Sequence, residues 1–359
     1  LRNLHQSEVT VVGMRRLEGD TLAGNATRTI TAVDSALLTS TAFKATASRS
    51  ILGAGAVYVT AAHNQNAGTL TAYVAFYNKA DELIARMSAE GANSPADILL
   101  TVDTSRLARA KNEGLLQAID SPVLESKIPA YLQDEDNQWF AFSQRARILF
   151  YNKETVANPP MTYQDLANPE YQGQVCIRSS SNVYTQNIVA ALTAHLGEEA
   201  TLDWAKGVVA NFARNPQGGD TDQLRGIVSG ECDIAMSNTY YFARAIRTDV
   251  SGLSDSLDQI GWVFPNQDDI GAHMNISGGG VAAHAPNKDN AIKFLEYLAS
   301  EQAQQYFSAG NDEYPAVPGI GLAPSVAALG IFRPDAIALS DIADNIGAAQ
   351  KILAKAGWK

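Results

Sequence analysis

The sequence predicts an α/β protein built as two doubly wound lobes, and three observations carry that expectation. The chain has 359 residues, 46% of them hydrophobic and 18% charged, enough apolar material for two cores and the wrong composition for disorder or a fibre. From Ala80 onward, helical and strand-like apolar patterns alternate, as they do where crossover helices join parallel strands. The residues richest in chemistry follow strands, where the ligands of such sheets are found. Two lobes suit this length better than one very large sheet.

Taken in order, Ala80–Glu90 carries Leu83, Ile84 and Met87 on one helical face and ends at Gly91. Pro95 precedes Asp97–Val102, a continuous apolar run that suits a strand covered on both sides. Ser105 opens a helix that Gly114 closes. Ala146–Tyr151 and Gly173–Arg178 read as strands. A helix from Ser181 or Asn182 to Gly197 turns Val183, Ile188 and Leu192 inward. Asp220 is expected to cap the next helix, with Gln223 as its capping-box partner three residues on. Cys232–Met236 is the strand that follows. Farther upstream, Ile51–Ala62 (ILGAGAVYVTAA) reads as a buried helix or strand, with a faint likeness to a signal-peptide core.

Composition also excludes. Net charge is −11 and no Lys/Arg cluster occurs, which argues against nucleic acid or an anionic membrane surface as partner. No apolar run reaches the roughly 20 residues that span a bilayer. The glycine-rich stretch Gly271–Gly280 (GAHMNISGGG) fits neither GxGxxG nor GxxxxGK[ST]; its glycines permit tight turns or close backbone approach. HExxH, GxSxG and a nucleophile paired with its base are absent, so no enzyme is expected. The five histidines are scattered, which disfavours an imidazole-built zinc site. Cys176 and Cys232 lie 56 positions apart in short apolar segments, readable as two buried thiols or as a disulfide between neighbouring strands.

Two loops carry the candidate chemistry. Arg178–Val183 leaves a strand and enters a helix, so Ser180, Ser181 and Asn182 offer either an anion site or plain N-capping. Tyr184 lies in the first turn beyond them. Ser237–Arg244 follows the Cys232–Met236 strand, with Tyr240 and Tyr241 adjacent and Arg244 three residues on along the same helical face. Singly, such tyrosines are packing residues and such an arginine is a surface residue. Together, three tyrosines reach the same edge of one expected sheet. Phenolate is a hard anionic donor suited to Fe(III), and Arg244 is placed to offset phenolate charge or to hold a small anion.

These segments resemble the ferric-ion-binding periplasmic proteins of bacterial iron(III) ABC transporters, especially the subgroup common in cyanobacteria and marine bacteria. The likeness runs from about Ala80 to Lys359. It is strongest in ADELIARMSAEGANSPADILLTVD, YQGQVCIRSSSNVYTQN, NFARNPQGGDTDQLRGIVSGECDIAMSNTYY, NISGGGV and AGWK. It implies a type II periplasmic-binding-protein fold, with hinge strands crossing between an N-lobe (1–145 plus 270–320) and a C-lobe (146–269 plus 321–359) that close on iron. Tyr184, Tyr240 and Tyr241 match the family's tyrosine ligands, and Arg244 a nearby basic position. Cys176 and Cys232 match positions seen in the subgroup, which favours the disulfide.

The implied function is binding of Fe(III), with water or a synergistic small anion completing coordination, and delivery to an ABC transporter permease. The implied location is the periplasm or another exported setting, and the implied state a monomer. The alternative within the same fold is an organic cation or an oxyanion as ligand. Upstream of about Lys79 the likeness stops. The family's S-R-H-Y-like turn is missing; Ala47–Ile51 has a similar lead but neither ligand. His63 is the candidate ligand from the first lobe, ahead of Tyr73 and Tyr77. An altered sequence over the first 79 residues would produce such a break, and so would true divergence.

Overall fold

The structure is a computed structural model that describes residues 80–359. It also describes the backbone of four earlier strands, β1 (Ser7–Gly13), β2 (Ala26–Ala32), β3 (Val57–Asn64) and β4 (Thr69–Phe76). Ala47–Ile51 and Tyr77 lie outside the described residues, as do the side chains of His63 in β3 and Tyr73 in β4. The remaining order begins α1 (Ala80–Glu90), β5 (Ile98–Val102), α2 (Thr104–Asn112), α3 (Pro122–Lys127), β6 (Phe140–Asn152) and β7 (Val175–Cys176). It continues α4 (Val183–Leu196), α5 (Glu198–Ala210), α6 (Asp220–Val228), β8 (Ile234–Asn238), α7 (Thr239–Arg247), β9 (Ile260–Val263) and β10 (Met274–Val281). The last elements are α8 (Lys288–Leu298), α9 (Glu301–Asn311), β11 (Tyr314–Pro315), α10 (Pro324–Ala327), α11 (Leu339–Asp344) and α12 (Ile346–Ala356). Among the described residues, no helix is long and apolar enough to cross a membrane.

The chain divides into two compact units, Leu1–Gln144 with Ile276–Gly321, and Arg145–Asn275 with Leu322–Lys359. In the first, every residue of β5 is buried, as a strand covered on both faces requires. It pairs antiparallel with β10, Leu100 opposite Gly279. The Gly278–Gly280 run exists for close approach: a Cβ at Gly280 would lie 1.9 Å from the Gln138 carbonyl oxygen, and one at Gly278 2.5 Å from that of Phe140. Helix α1 buries Leu83, Ile84 and Met87 on the face expected of it. Helix α2 begins at Thr104, one residue before the expected start, because the Asp103 carboxylate accepts from the Ser105 N–H and caps it.

The second unit holds the rest of β6 and three further strands. β6 pairs antiparallel with β8 and β9, and β8 runs parallel to β7. Three sequence expectations are corrected here. β6 starts at Phe140 rather than Ala146; Ser143, Gln144 and Arg145 disguise it, being polar yet placed in a strand where Ser143 bonds to Glu313 and Gln144 to the Pro315 carbonyl. β7 keeps only Val175–Cys176, and the Gln174 and Val175 N–H groups go to the Asn211 carbonyl instead. β8 starts at Ile234, not Cys232, because the Cys232 N–H is held by the Gly226 carbonyl at the end of α6.

The cap of α6 also differs from expectation. Gly219 is the N-cap, and the Asp222 carboxylate accepts from its N–H at 2.7 Å. Gln223 donates to the Gln217 and Gly219 carbonyls at 2.6 and 2.8 Å, and Asp220 is free for another task. In α4, Ile188 and Leu192 are fully buried as expected, whereas Val183 is half-buried.

Cys176 and Cys232 form a disulfide, with Cα atoms 5.8 Å apart, that staples β7 to the segment entering β8. Gly226 lies against it: a Cβ there would sit 2.8 Å from Cys232 Sγ. Closing a loop of 56 residues is worth about 4 kcal/mol in the chain-entropy account of cross-links. The Cys176→Ala, Cys232→Ala double variant should therefore lose about 2–4 kcal/mol of unfolding free energy in urea titrations. A loss well below 1 kcal/mol would show that the staple does not constrain the unfolded chain as supposed.

Candidate metal centre

Both tyrosine-bearing loops are strand-to-helix junctions of the second unit. After β7 the chain runs to Asn182, whose side-chain oxygen accepts from the Tyr184 N–H at 3.0 Å and starts α4. That junction is pinned from outside: Trp358 Nε1 donates to the Arg178 carbonyl and the Ser180 N–H to the Lys359 carbonyl, each at 3.0 Å. Tyr184, half-buried, projects from the first turn. β8 passes directly into α7, which puts Tyr240 and Tyr241 in the first helical turn. The next residue, Phe242, anchors α7 against Phe150 and Trp262, with ring centroids 5.2 and 5.4 Å apart.

These junctions bring the phenols together. The hydroxyls of Tyr184 and Tyr240 lie 3.1 Å apart, and the rings of Tyr240 and Tyr241 are 4.2 Å apart between centroids. Tyr240 is buried and Tyr241 half-buried. Arg244 lies over both rings, at 5.7 and 5.9 Å. Ser180, Ser181 and Asn182 take other roles: Ser181 pairs with the Ser179 hydroxyl at 2.8 Å, the Ser180 carbonyl accepts from Gln186, and Asn182 caps.

Sequence reasoning missed the rest of the site. Arg145 and Arg147 are buried in β6, and with Arg178 they surround the Tyr184 ring, their Cζ atoms 5.9, 5.8 and 5.5 Å from its centroid. The available signal was their spacing: two arginines separated by one residue share a face of a strand. Asp220, fully buried, answers this charge. It accepts from Arg147 Nη1 and Arg178 Nη1, each at 2.7 Å, and from the Asn238 N–H at 3.2 Å. Arg147 Nη1 also donates to Asn238 Oδ1 at 3.1 Å. His273 is buried nearby and held neutral, its pKa pushed down to about 3 by burial and by Arg147 and Arg145.

Burial raises the Tyr240 phenol well above its ordinary value, and the oxygens of Tyr184 and Tyr241 add to the effect. Tyr241 is raised by burial, then by Tyr184 and Asp220. Both are therefore neutral phenols at rest, donors to a metal only once it has displaced their protons. Among the described residues, no group of three or more His, Cys, Asp or Glu side chains is placed to hold a metal ion.

Residues 93–328 match the family described as bacterial extracellular solute-binding protein. The sequence is 47% identical over 282 residues, 78% of each chain, to Iron uptake protein A1 of a Synechocystis species. It is 30% identical over 273 residues, 75% of each chain, to the Fe(3+)-binding periplasmic protein of Serratia marcescens. Among solved structures, a Trichodesmium IdiA/FutA protein in complex with iron and citrate superposes with a TM-score of 0.78 at 45% identity, covering 82% of this chain and 93% of that one. The apo FutA2 structure from Synechocystis matches at 0.76 and 41%, covering 80% and 92%.

In a spectrophotometric titration of metal-free protein, Tyr240 and Tyr241 should ionise only well above pH 10. The Tyr240→Phe, Tyr241→Phe variant should keep the full phenolate amplitude that appears near pH 10. Loss of amplitude near pH 10 in that variant would mean that these phenols are not desolvated.

Proposed function

The chain belongs to the bacterial extracellular solute-binding proteins, and we propose that it binds ferric iron through the phenolates of Tyr184, Tyr240 and Tyr241 for delivery to an ABC transporter permease. Its fold is that of type II periplasmic binding proteins, the class of its structural relatives, and those relatives are solute-binding proteins rather than enzymes. The observation that carries the reading is the convergence of three phenols from two junctions, with the Tyr184 and Tyr240 oxygens 3.1 Å apart. Fe(III) is hard, small and acidic enough to replace three phenolic protons near neutral pH, and three phenolates balance its charge.

The surroundings argue for an accompanying anion. Arg147 and Arg178 share one carboxylate, that of Asp220, among the described residues, so a neutral iron–phenolate cluster leaves a cationic surplus beside Tyr184. A small oxyanion such as citrate would complete the coordination and offset that surplus, with Arg244 and the Ser180–Asn182 turn as candidate groups to hold it. The buried disulfide suits an oxidising compartment, so we place the protein in the periplasm or an equivalent exported setting. Release follows from protonation of the phenolates or from reduction, since Fe(II) is softer and less acidic.

The same arginines support a second reading, a binding protein for an oxyanion without metal. The two readings differ in colour. Titrating chelator-stripped protein with ferric citrate should produce a red-orange phenolate-to-iron charge-transfer band, abolished in the Tyr240→Phe, Tyr241→Phe variant. A colourless protein that binds phosphate or a phosphonate would favour the oxyanion instead. Because each ligating phenol must give up a proton, iron affinity should rise with pH, by up to about three log units per pH unit well below the phenol pKa values. An affinity independent of pH would exclude three phenolate ligands.

A further inference from the structure

We propose that Asp220 is the positioning residue of this site, holding the two tyrosine junctions in register without touching the metal; the inference rests on the ferric-phenolate reading. Its carboxylate is fully buried and spans three segments. Oδ2 accepts from Arg178, at the start of the junction that carries Tyr184. Oδ1 accepts from the N–H of Asn238, two residues before Tyr240, and from Arg147 in the middle strand β6. Arg147 then returns to the Asn238 side chain, which closes the link between the junctions. No other carboxylate is hydrogen-bonded to both arginines among the described residues.

The position explains a local oddity. Asp220 opens α6, where an acidic residue ordinarily caps the helix, yet Gly219 and Asp222 do the capping here. Freed of that task, Asp220 determines where two cations sit. Both guanidinium groups lie beside the Tyr184 ring, at 5.8 and 5.5 Å from its centroid, rather than being left to pair with whatever anion is nearest. Without the carboxylate, the nearest anions would be the phenolates themselves, and the arginines would compete with iron for them. An asparagine at this position keeps the shape but loses the charge, and turns an N–H₂ group toward a guanidinium that can only donate.

The test compares wild type with Asp220→Asn, Arg178→Gln and Arg178→Lys. Each is loaded with ferric citrate and titrated against a competing chelator, with circular dichroism and thermal melting as folding controls. Folded Asp220→Asn should bind iron roughly 10–100-fold more weakly, the usual effect of losing a partner that orients ligands, and its charge-transfer band per bound iron should shift and weaken. Arg178→Gln should show a smaller loss of the same kind. Arg178→Lys should recover most of it, because a single donated bond reaches Asp220. A purely structural role would lower the melting temperature and leave the band of the folded, loaded protein unchanged. If Asp220→Asn does not fold, the Gln and Lys variants at position 178 decide alone. Affinity within about threefold of wild type with an unaltered band would overturn the proposal, since orienting partners matter more than that. That result would leave the ferric-phenolate reading standing. A wild-type protein with no band would remove that reading, and this inference with it.

Discussion

A buried phenol keeps its proton until something more demanding than a proton takes its oxygen, and the second unit is arranged around that constraint. Burial raises the cost of ionising Tyr240 and Tyr241, and the neighbouring Tyr184 oxygen raises it further for both. On the ferric reading proposed above, such a cluster disfavours abundant divalent cations, which are less able to displace several phenolic protons at once. It suits a trivalent, hard ion. The arginines work the other way: Arg145 eases ionisation of Tyr240 and Arg178 that of Tyr241, offsetting part of the cost of burial.

The fold holds that cluster by local devices more than by bulk. Each tyrosine-bearing segment is a strand that leads into a helix, so the tyrosines inherit the rigidity of both elements. The disulfide joins the feet of β7 and β8, the strands that lead to the two junctions. Trp358 and Lys359 pin the first junction from its outer side, and Phe242 locks the second into the core. Asp220 ties them at the level of the site itself. The ligand set proposed above, drawn from two loops, would need such ties, because a displacement on the order of 1 Å is enough to spoil coordination.

Much of this was legible in the residues, for identifiable reasons. Helix α1 was readable because Leu83, Ile84 and Met87 repeat at helical spacing, and all three are buried. The tyrosines stood out because a helix start after a strand is where ligands of open α/β sheets bind. Buried charge was the blind spot. Arg145 and Arg147 in β6 resemble exposed positions in a sequence, since burial of a guanidinium makes sense only once its carboxylate is known. For Arg147 that carboxylate lies 73 positions away, and Asp220 itself reads as an ordinary cap. The same ambiguity misplaced the start of β6 and the capping of α6. Hydrogen bonding from Cys232 to α6, invisible in sequence, displaced the start of β8.

The most direct test of the central claim is resonance Raman spectroscopy of the iron-loaded protein, excited within its visible absorption band, for wild type and the single Tyr184→Phe, Tyr240→Phe and Tyr241→Phe variants. The account predicts tyrosinate ring vibrations in enhancement, with each substitution removing part of the intensity. Spectra free of tyrosinate modes, or modes indifferent to all three substitutions, would contradict it and assign the iron to other donors.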